Sequence, residues 1–264
     1  MSQVLTPRPA ATVLALRDGP LGYQVLMLRR NLNSDFVGGA YVFPGGGVDA
    51  SDSDATIQRL TFGADEQEAS KRLGVRTGGL AYYVAGLREL FEEAGLLIAC
   101  RDGGACVDLS DAQTVRRLAA HRRQLNAGEI VFAQVLAREE LVLDLRGLAY
   151  LAHWVTPVGP PRRYDTRFFV VLAPSDQTAA HDAGETIEDQ WLRPVDALLA
   201  FERGDFEMIF PTVRTLQTIA HLDSAQDVLD YANALDSVTR IEPRIVMRAD
   251  QPQIVVPGDE GYDD

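Results

Sequence analysis

A single α/β or α+β domain is the fold class this sequence predicts, on three observations. Strand-like and helix-like runs are interleaved from one end to the other. No internal repeat or low-complexity linker divides them. A chain of 264 residues with 46% hydrophobic content can bury a substantial core. Residues 9–16 and 23–29 read as strands, and Asp18-Gly19-Pro20-Leu21-Gly22 between them is turn chemistry, so a hairpin is expected. Residues 40–43 form a short apolar run that stops at Pro44-Gly45-Gly46-Gly47. Three glycines free the backbone for close approach to a ligand, and a loop is expected there. Residues 53–77 are polar and helical in pieces. Across 80–94, Leu80, Val84, Leu87 and Phe91 recur at helical spacing, and Gly95 stands where a C-cap glycine belongs. A helix is expected at 111–126, with Asp111 in its first turn, and a shorter one at 129–137. Strands are expected at 150–155, 167–173 and 190–193. Helices follow at 195–203, 211–222 and 224–235, then β-type runs at 244–247 and 253–256 and an acidic tail ending in Asp263-Asp264.

The formal net charge of −13 argues against nucleic acid as a partner, because such binding rests on neutralising phosphates with many Lys and Arg. It is compatible with a small phosphorylated substrate if divalent cations lie between the two sets of negative charge. No apolar run reaches the roughly 18 residues of a membrane span. The N-terminal residues lack a positive region followed by an apolar stretch, so neither a membrane nor a secretory signal is expected. Cys100 and Cys106 alone build neither a zinc site nor a disulfide framework, and a reduced, cytoplasmic setting is expected.

The chemistry concentrates in Arg88-Glu89-Leu90-Phe91-Glu92-Glu93-Ala94-Gly95. Glu89, Glu92 and Glu93 are three and four residues apart and crowd one helix face. Their repulsion would be relieved by a hard cation, which prefers carboxylate oxygens and keeps water and phosphate in its shell. Arg88 can hold a carboxylate through a forked hydrogen bond and fix its orientation. A solvated charged face is the competing reading of the octet alone.

The octet together with Val42-Phe43-Pro44-Gly45-Gly46 resembles the Nudix box, Gly-x5-Glu-x7-Arg-Glu-U-x-Glu-Glu-x-Gly-U with U apolar. Arg88, Glu89, Leu90, Glu92, Glu93, Gly95 and Leu96 match its second half in register. Five residues after Gly46 stands Asp52 in place of the family's Glu, and 35 residues separate it from Arg88 where the pattern has seven. The box is therefore interrupted. Leu26 to Arg30, Gly39 to Gly46, Ala81 to Arg88, Tyr164 to Phe169 and Pro257 to Tyr262 resemble the branch that holds peroxisomal coenzyme A diphosphatases and bacterial relatives.

The resemblance implies a Nudix α/β/α sandwich with a mixed sheet over 1–264. A helical insertion at 53–79 is expected beside the site as a cap, with a C-terminal extension at 205–264 that supplies further helices. It implies a metal-dependent hydrolase that cuts a phosphoanhydride in a small-molecule nucleoside diphosphate derivative. Mg²⁺ or Mn²⁺ would be held by Glu89, Glu92 and Glu93, with Glu89 as third ligand or as base and the Gly45 carbonyl as a further ligand. Arg88 would orient the carboxylates, and Gly46 would let backbone approach a phosphate. Between Glu185 and Glu188, Glu188 is favoured as a later acid because it lies nearer the strand; an acidic surface turn is the competing reading. Arg30 and Arg167 are candidate phosphate clamps, with a structural ion pair as the alternative for each. Arg162-Arg163 is a weaker candidate. Tyr82, Tyr83 and Trp191 read as core, and the four histidines show no metal-ligand spacing.

Coenzyme A or an acyl-coenzyme A is the leading substrate by analogy, giving 3′,5′-ADP and a phosphopantetheine. The coenzyme A motif of another Nudix branch is partly echoed from Leu28-Arg29-Arg30 to Gly46. A nucleotide-sugar or dinucleotide pyrophosphatase is the alternative within the enzyme class. A non-catalytic nucleotide-binding Nudix module is the alternative outside it, and the retained carboxylates favour the enzyme. A homodimer follows from family habit alone.

Overall fold

The computed structural model of the chain describes residues 5–32, 38–105, 107–182, 184–248 and 251–262. Cys106 and the terminal Asp263-Asp264 lie outside the described residues.

β1 (Arg8–Gly19) and β2 (Gly22–Arg30) form the expected hairpin, with Leu16 opposite Val25. β3 (Tyr41–Val42) pairs with β2. β4 (Gly45–Gly47) pairs antiparallel with Ala10 to Thr12 of β1, so the glycine segment is a short strand where a loop was expected. A Cβ at Gly45 would fall 2.6 Å from the Ala11 carbonyl oxygen, so glycine permits the close pairing. Next come α1 (Ala55–Gln58), β5 (Thr61–Phe62), α2 (Glu66–Leu73) and α3 (Gly79–Ala94). β6 (Ala99–Cys100), α4 (Ala112–Asn126), α5 (Phe132–Glu139) and β7 (Val142–Asp144) follow. β8 (Ala149–Val155), β9 (Tyr164–Leu172) and β10 (Thr186–Leu192) lead into α6 (Pro194–Glu202), α7 (Phe210–Ile219) and α8 (Ala225–Ala234). The chain closes with β11 (Arg240–Ile241), β12 (Arg244–Arg248) and β13 (Gln251–Val255).

The main sheet has the order β10-β2-β1-β9-β8-β11 and is mixed. β1 runs parallel to β9 and β8 parallel to β11, while the other pairs are antiparallel. β9 takes one edge of β1 over residues 8–16, so β2 and β4 share the other. Both faces are covered. Ala11, Val13 and Ala15 pack on the α3 side with Val84, Leu87 and Phe91. Leu14 and Leu16, which point the other way, pack with Leu216, Ile219 and Val228 of α7 and α8. This double burial explains why β1 reads as a continuous apolar run. The result is a Nudix-like α/β/α sandwich. Among the described residues no helix is long and apolar enough to cross a membrane.

Several expectations change. Asp111 is the N-cap of α4 and accepts from Gln113 N and Thr114 N at 3.0 and 3.1 Å, so it stands before the first turn. β9 and β10 both start earlier than expected. The small sheet β5-β7-β6 was not expected, because strands of two or three residues carry no readable period. The helical cap beside the site is also corrected. α2 seats on the N-terminal end of α3, where a Cβ on Gly79 would fall 2.3 Å from Ser70 N. There the Glu66 carboxylate accepts from Gly78 N at 2.6 Å and Leu80 N at 3.0 Å, placing negative charge at the positive end of the α3 dipole. Glu89 lies ten residues further along α3, about 15 Å away at 1.5 Å per residue. The inserted helix buttresses the far end of α3.

Candidate active site

The last two turns of α3 carry the acidic residues, and Gly95 ends the helix in the left-handed region at φ 72°. Arg88 is buried at the centre of the group. Its Nε and Nη2 donate to Asp52 Oδ1 and Oδ2 at 2.9 and 3.0 Å, in the forked geometry that suits guanidinium and carboxylate. Nη1 donates to Glu89 Oε1 at 2.8 Å and to Glu92 Oε2 at 3.3 Å, and Nη2 also reaches the Gly47 carbonyl at 2.8 Å. Asp52, buried in a 3-10 turn at Ala50–Ser53, additionally accepts from Asp49 N at 2.8 Å. The residue at the position of the family's first Glu therefore supports Arg88.

The strand β4 completes the arrangement. Gly45 N donates to Glu93 Oε2 at 2.9 Å. Val13 N bonds the Pro44 carbonyl and Val48 N the Pro9 carbonyl, so alternate residues of this segment face β1. Gly45 and Gly47 turn their peptide groups the other way, toward α3, which brings the Gly45 carbonyl to the acidic side. At Gly46 a Cβ would fall 2.5 Å from Glu89 Oε1, so glycine lets β4 lie against that carboxylate without displacing it. From α4, Arg122 Nε and Asn126 Nδ2 donate to the Glu92 carbonyl at 2.8 and 3.2 Å and anchor the helix end. No local pattern in the sequence announces this contact, which joins residues thirty or more positions apart.

Burial, and then the neighbouring Glu89, pushes the Glu93 carboxyl well above its ordinary value. Burial pushes Glu89 up to about 7, against the pull of Arg88 and with the repulsion of Glu92. Burial also raises Glu92. Burial alone would weaken Arg88's hold on its proton, but Asp52 and Glu89 more than offset it. In the folded protein Glu89 keeps its proton toward pH 7, whereas its ordinary value is 4.5. The folded state then binds more protons than the unfolded chain between these values, so stability is full below about 4.5 and is lost as pH rises to about 7. Relative to Glu89→Gln, wild type in chelator is expected to lose roughly 7–14 °C of melting temperature between acidic and mildly alkaline buffer. Divalent cation should restore most of that loss on the alkaline side. Melting curves of the two proteins at both pH values check this, and a pH-independent difference counts against it.

Glu185 and Arg30 complete the mouth. Arg30 Nη2 meets Glu185 Oε1 at 2.8 Å, and both line a cavity with Glu89, Gly45, Gly46 and Gly47. Glu185 adds to the upward push on Glu89 and Glu93. Glu188, the acid favoured from sequence, accepts instead from Tyr41 Oη at 2.9 Å and Gln190 Nε2 and lies 3.6 Å from Arg29. Of the two acids it is Glu185 that lines the cavity, against the preference for Glu188. Arg167 is not brought to the site either. Thr166 and Phe168 line the cavity, so Arg167, between them on β9, faces the other side of the sheet. There it pairs with Asp165 and His153 and lies over the Tyr82 ring at 5.1 Å.

The profile described as the NUDT19 Nudix domain matches residues 55–219, more than half of the chain. The chain belongs to this Nudix family. It is similar to the acyl-coenzyme A diphosphatase NUDT19 of Gallus gallus, at 28% identity over 92% of this chain and 74% of that protein. The human protein of the same name is 25% identical over 97% of this chain and 76% of its own. Among solved structures, a Nudix hydrolase from Alicyclobacillus acidocaldarius superposes with a TM-score of 0.72 at 26% identity, over 89% of this chain and 98% of that one. The protein is thus a Nudix hydrolase of the diphosphatase type, and Nudix hydrolases generally work with a divalent metal ion.

The donor set fits such an ion by its chemistry. A buried Glu93 and half-buried Glu89 and Glu92 stand at one helix end, each pushed toward its neutral form, beside a glycine cradle that a Cβ would fill. Among the described residues no three acidic, His or Cys side chains converge into a ready-made cage. Glu89 and Glu92 turn to Arg88, and Glu93 turns to the Gly45 N–H.

Proposed function

We propose that this Nudix hydrolase cleaves the diphosphate of coenzyme A and acyl-coenzyme A, giving 3′,5′-ADP and the corresponding phosphopantetheine. One observation carries the reading from the structural side. A cavity of about 610 Å³ starts at Glu89, Arg30 and the glycine strand and runs to an apolar wall of Trp154, Phe168 and Phe210. A diphosphate joined to a long arm fits a space that sets charged groups, Arg30, Glu89 and Arg162, beside an apolar wall. The names of the avian and human relatives point to the same substrate class.

Glu89, Glu92 and Glu93, with the Gly45 carbonyl, would hold Mg²⁺ or Mn²⁺. When bound, such an ion neutralises charge on the phosphate oxygens and lowers the pKa of water. Arg88 keeps Glu89 and Glu92 aimed, and Arg30 faces the phosphates from the cavity wall. Glu89, which lines the cavity against Gly46, is the carboxylate placed to take a proton from water. The water oxygen attacks phosphorus, its proton passes to Glu89, and the bond from phosphorus to the bridging oxygen breaks.

A substrate panel tests this: coenzyme A, acyl esters, ADP-ribose, a UDP-sugar and a dinucleoside polyphosphate, with Mg²⁺ or Mn²⁺. Coenzyme A compounds should lead in kcat/KM by about tenfold or more. A nucleotide-sugar or dinucleotide at the head of the ranking would replace the substrate. No turnover of any compound by folded, cation-loaded protein would leave a non-catalytic binding module.

A further inference from the structure

The hairpin β12–β13 is amphipathic in an unexpected sense. Its arginines meet the C-terminal residues. Arg244 donates to the Tyr262 carbonyl and lies 4.7 Å over that ring, and Arg248 donates to the Glu260 carbonyl. Its apolar face is left open. Ile245 stands opposite Ile254 and Met247 opposite Pro252, so all four project to one side. Ile245, Met247 and Ile254 are 50%, 67% and 44% exposed. Ile254 also lines the cavity that begins at Glu89. The open apolar face is therefore a continuation of the cavity wall.

We propose that this hairpin face holds the acyl chain of the substrate, and that Ile254, Ile245 and Met247 determine the preference for chain length. The inference rests on the coenzyme A reading of the site and deepens it. Continuity selects the occupant: a molecule with its diphosphate at Glu89 and an arm through the cavity emerges past Ile254 onto the strip. A contiguous apolar patch on an otherwise acidic protein marks a surface that binds something apolar. Each methylene laid on it leaves water, so longer chains gain affinity along the strip from Ile254 to Met247 and Pro252.

The test measures kcat/KM for coenzyme A and for short-, medium- and long-chain esters, kept below micelle-forming concentrations. Wild type is compared with Met247→Asp, Ile254→Asp and the conservative Met247→Leu. The ratio of long-chain ester to coenzyme A should fall about tenfold in each Asp variant, the worth of roughly two buried methylenes, and the fall should appear in KM. Met247→Leu should keep the wild-type ratio. An unchanged ratio in both Asp variants overturns the inference. So does an equal loss on coenzyme A and every ester, which would mean that the strip holds a part common to all of them. Wild type that turns over coenzyme A with no dependence on chain length sinks this inference alone, whereas wild type inert to every coenzyme A compound sinks the substrate reading beneath it.

Discussion

Glu89→Gln is expected to lower kcat by about 10²- to 10⁴-fold, the usual worth of a general base, while the protein stays folded. The amide is nearly isosteric and can still accept from Arg88 Nη1, which sits 2.8 Å from Glu89 Oε1. It removes one negative charge from a group in which Glu92 and Glu93 already repel it. Thermal stability without added cation should therefore hold or rise, and cation-induced stabilisation should shrink. Steady-state rates and melting curves on one preparation separate these effects. A rate loss that comes with a lower melting temperature would mark Glu89 as structural.

The largest stability effect is expected at Arg88. Arg88→Met should cost about 3–5 kcal/mol, because removing one member of a buried ion pair leaves the other charge without compensation. The stranded partner is Asp52, only 1% exposed, and Glu89 and Glu92 lose the same cation. Changing Asp52→Asn in the Arg88→Met background should recover part of the loss, since the stranded charge is then gone. Denaturant unfolding of the two single variants and the double variant reads this coupling. Additive losses would show that Asp52 and Arg88 act independently.

The legible parts of the fold and site were those with a long period or a fixed register. α3 was readable because sixteen residues repeat one apolar face, and because Arg88 to Gly95 carries its carboxylates at set spacing. The glycine segment was readable as a place of close approach, but its pairing with Ala10 to Thr12 depends on a strand more than thirty residues earlier in the chain. Arg167 differs from expectation because one step along β9 exchanges cavity for opposite face, and no local signal sets that parity. Glu185 and Glu188 lie on either side of a register shift against β2, so simple alternation along the strand does not tell which of them reaches the cavity. The cavity walls at Trp154, Phe210 and Ile254 come from three distant segments, so no single stretch of sequence announces them.

In the proposed function the acidic end of α3 directs hydrolysis of the coenzyme A diphosphate. The decisive measurement is mass analysis of the products formed from coenzyme A in ¹⁸O-labelled water, with Mg²⁺ or Mn²⁺ present or chelated. Wild type should release 3′,5′-ADP and phosphopantetheine with one product labelled, and only when cation is present. Glu93→Gln, which retains the acceptor for Gly45 N, should release neither at a comparable rate. Equal, cation-independent product formation by wild type and Glu93→Gln would contradict it.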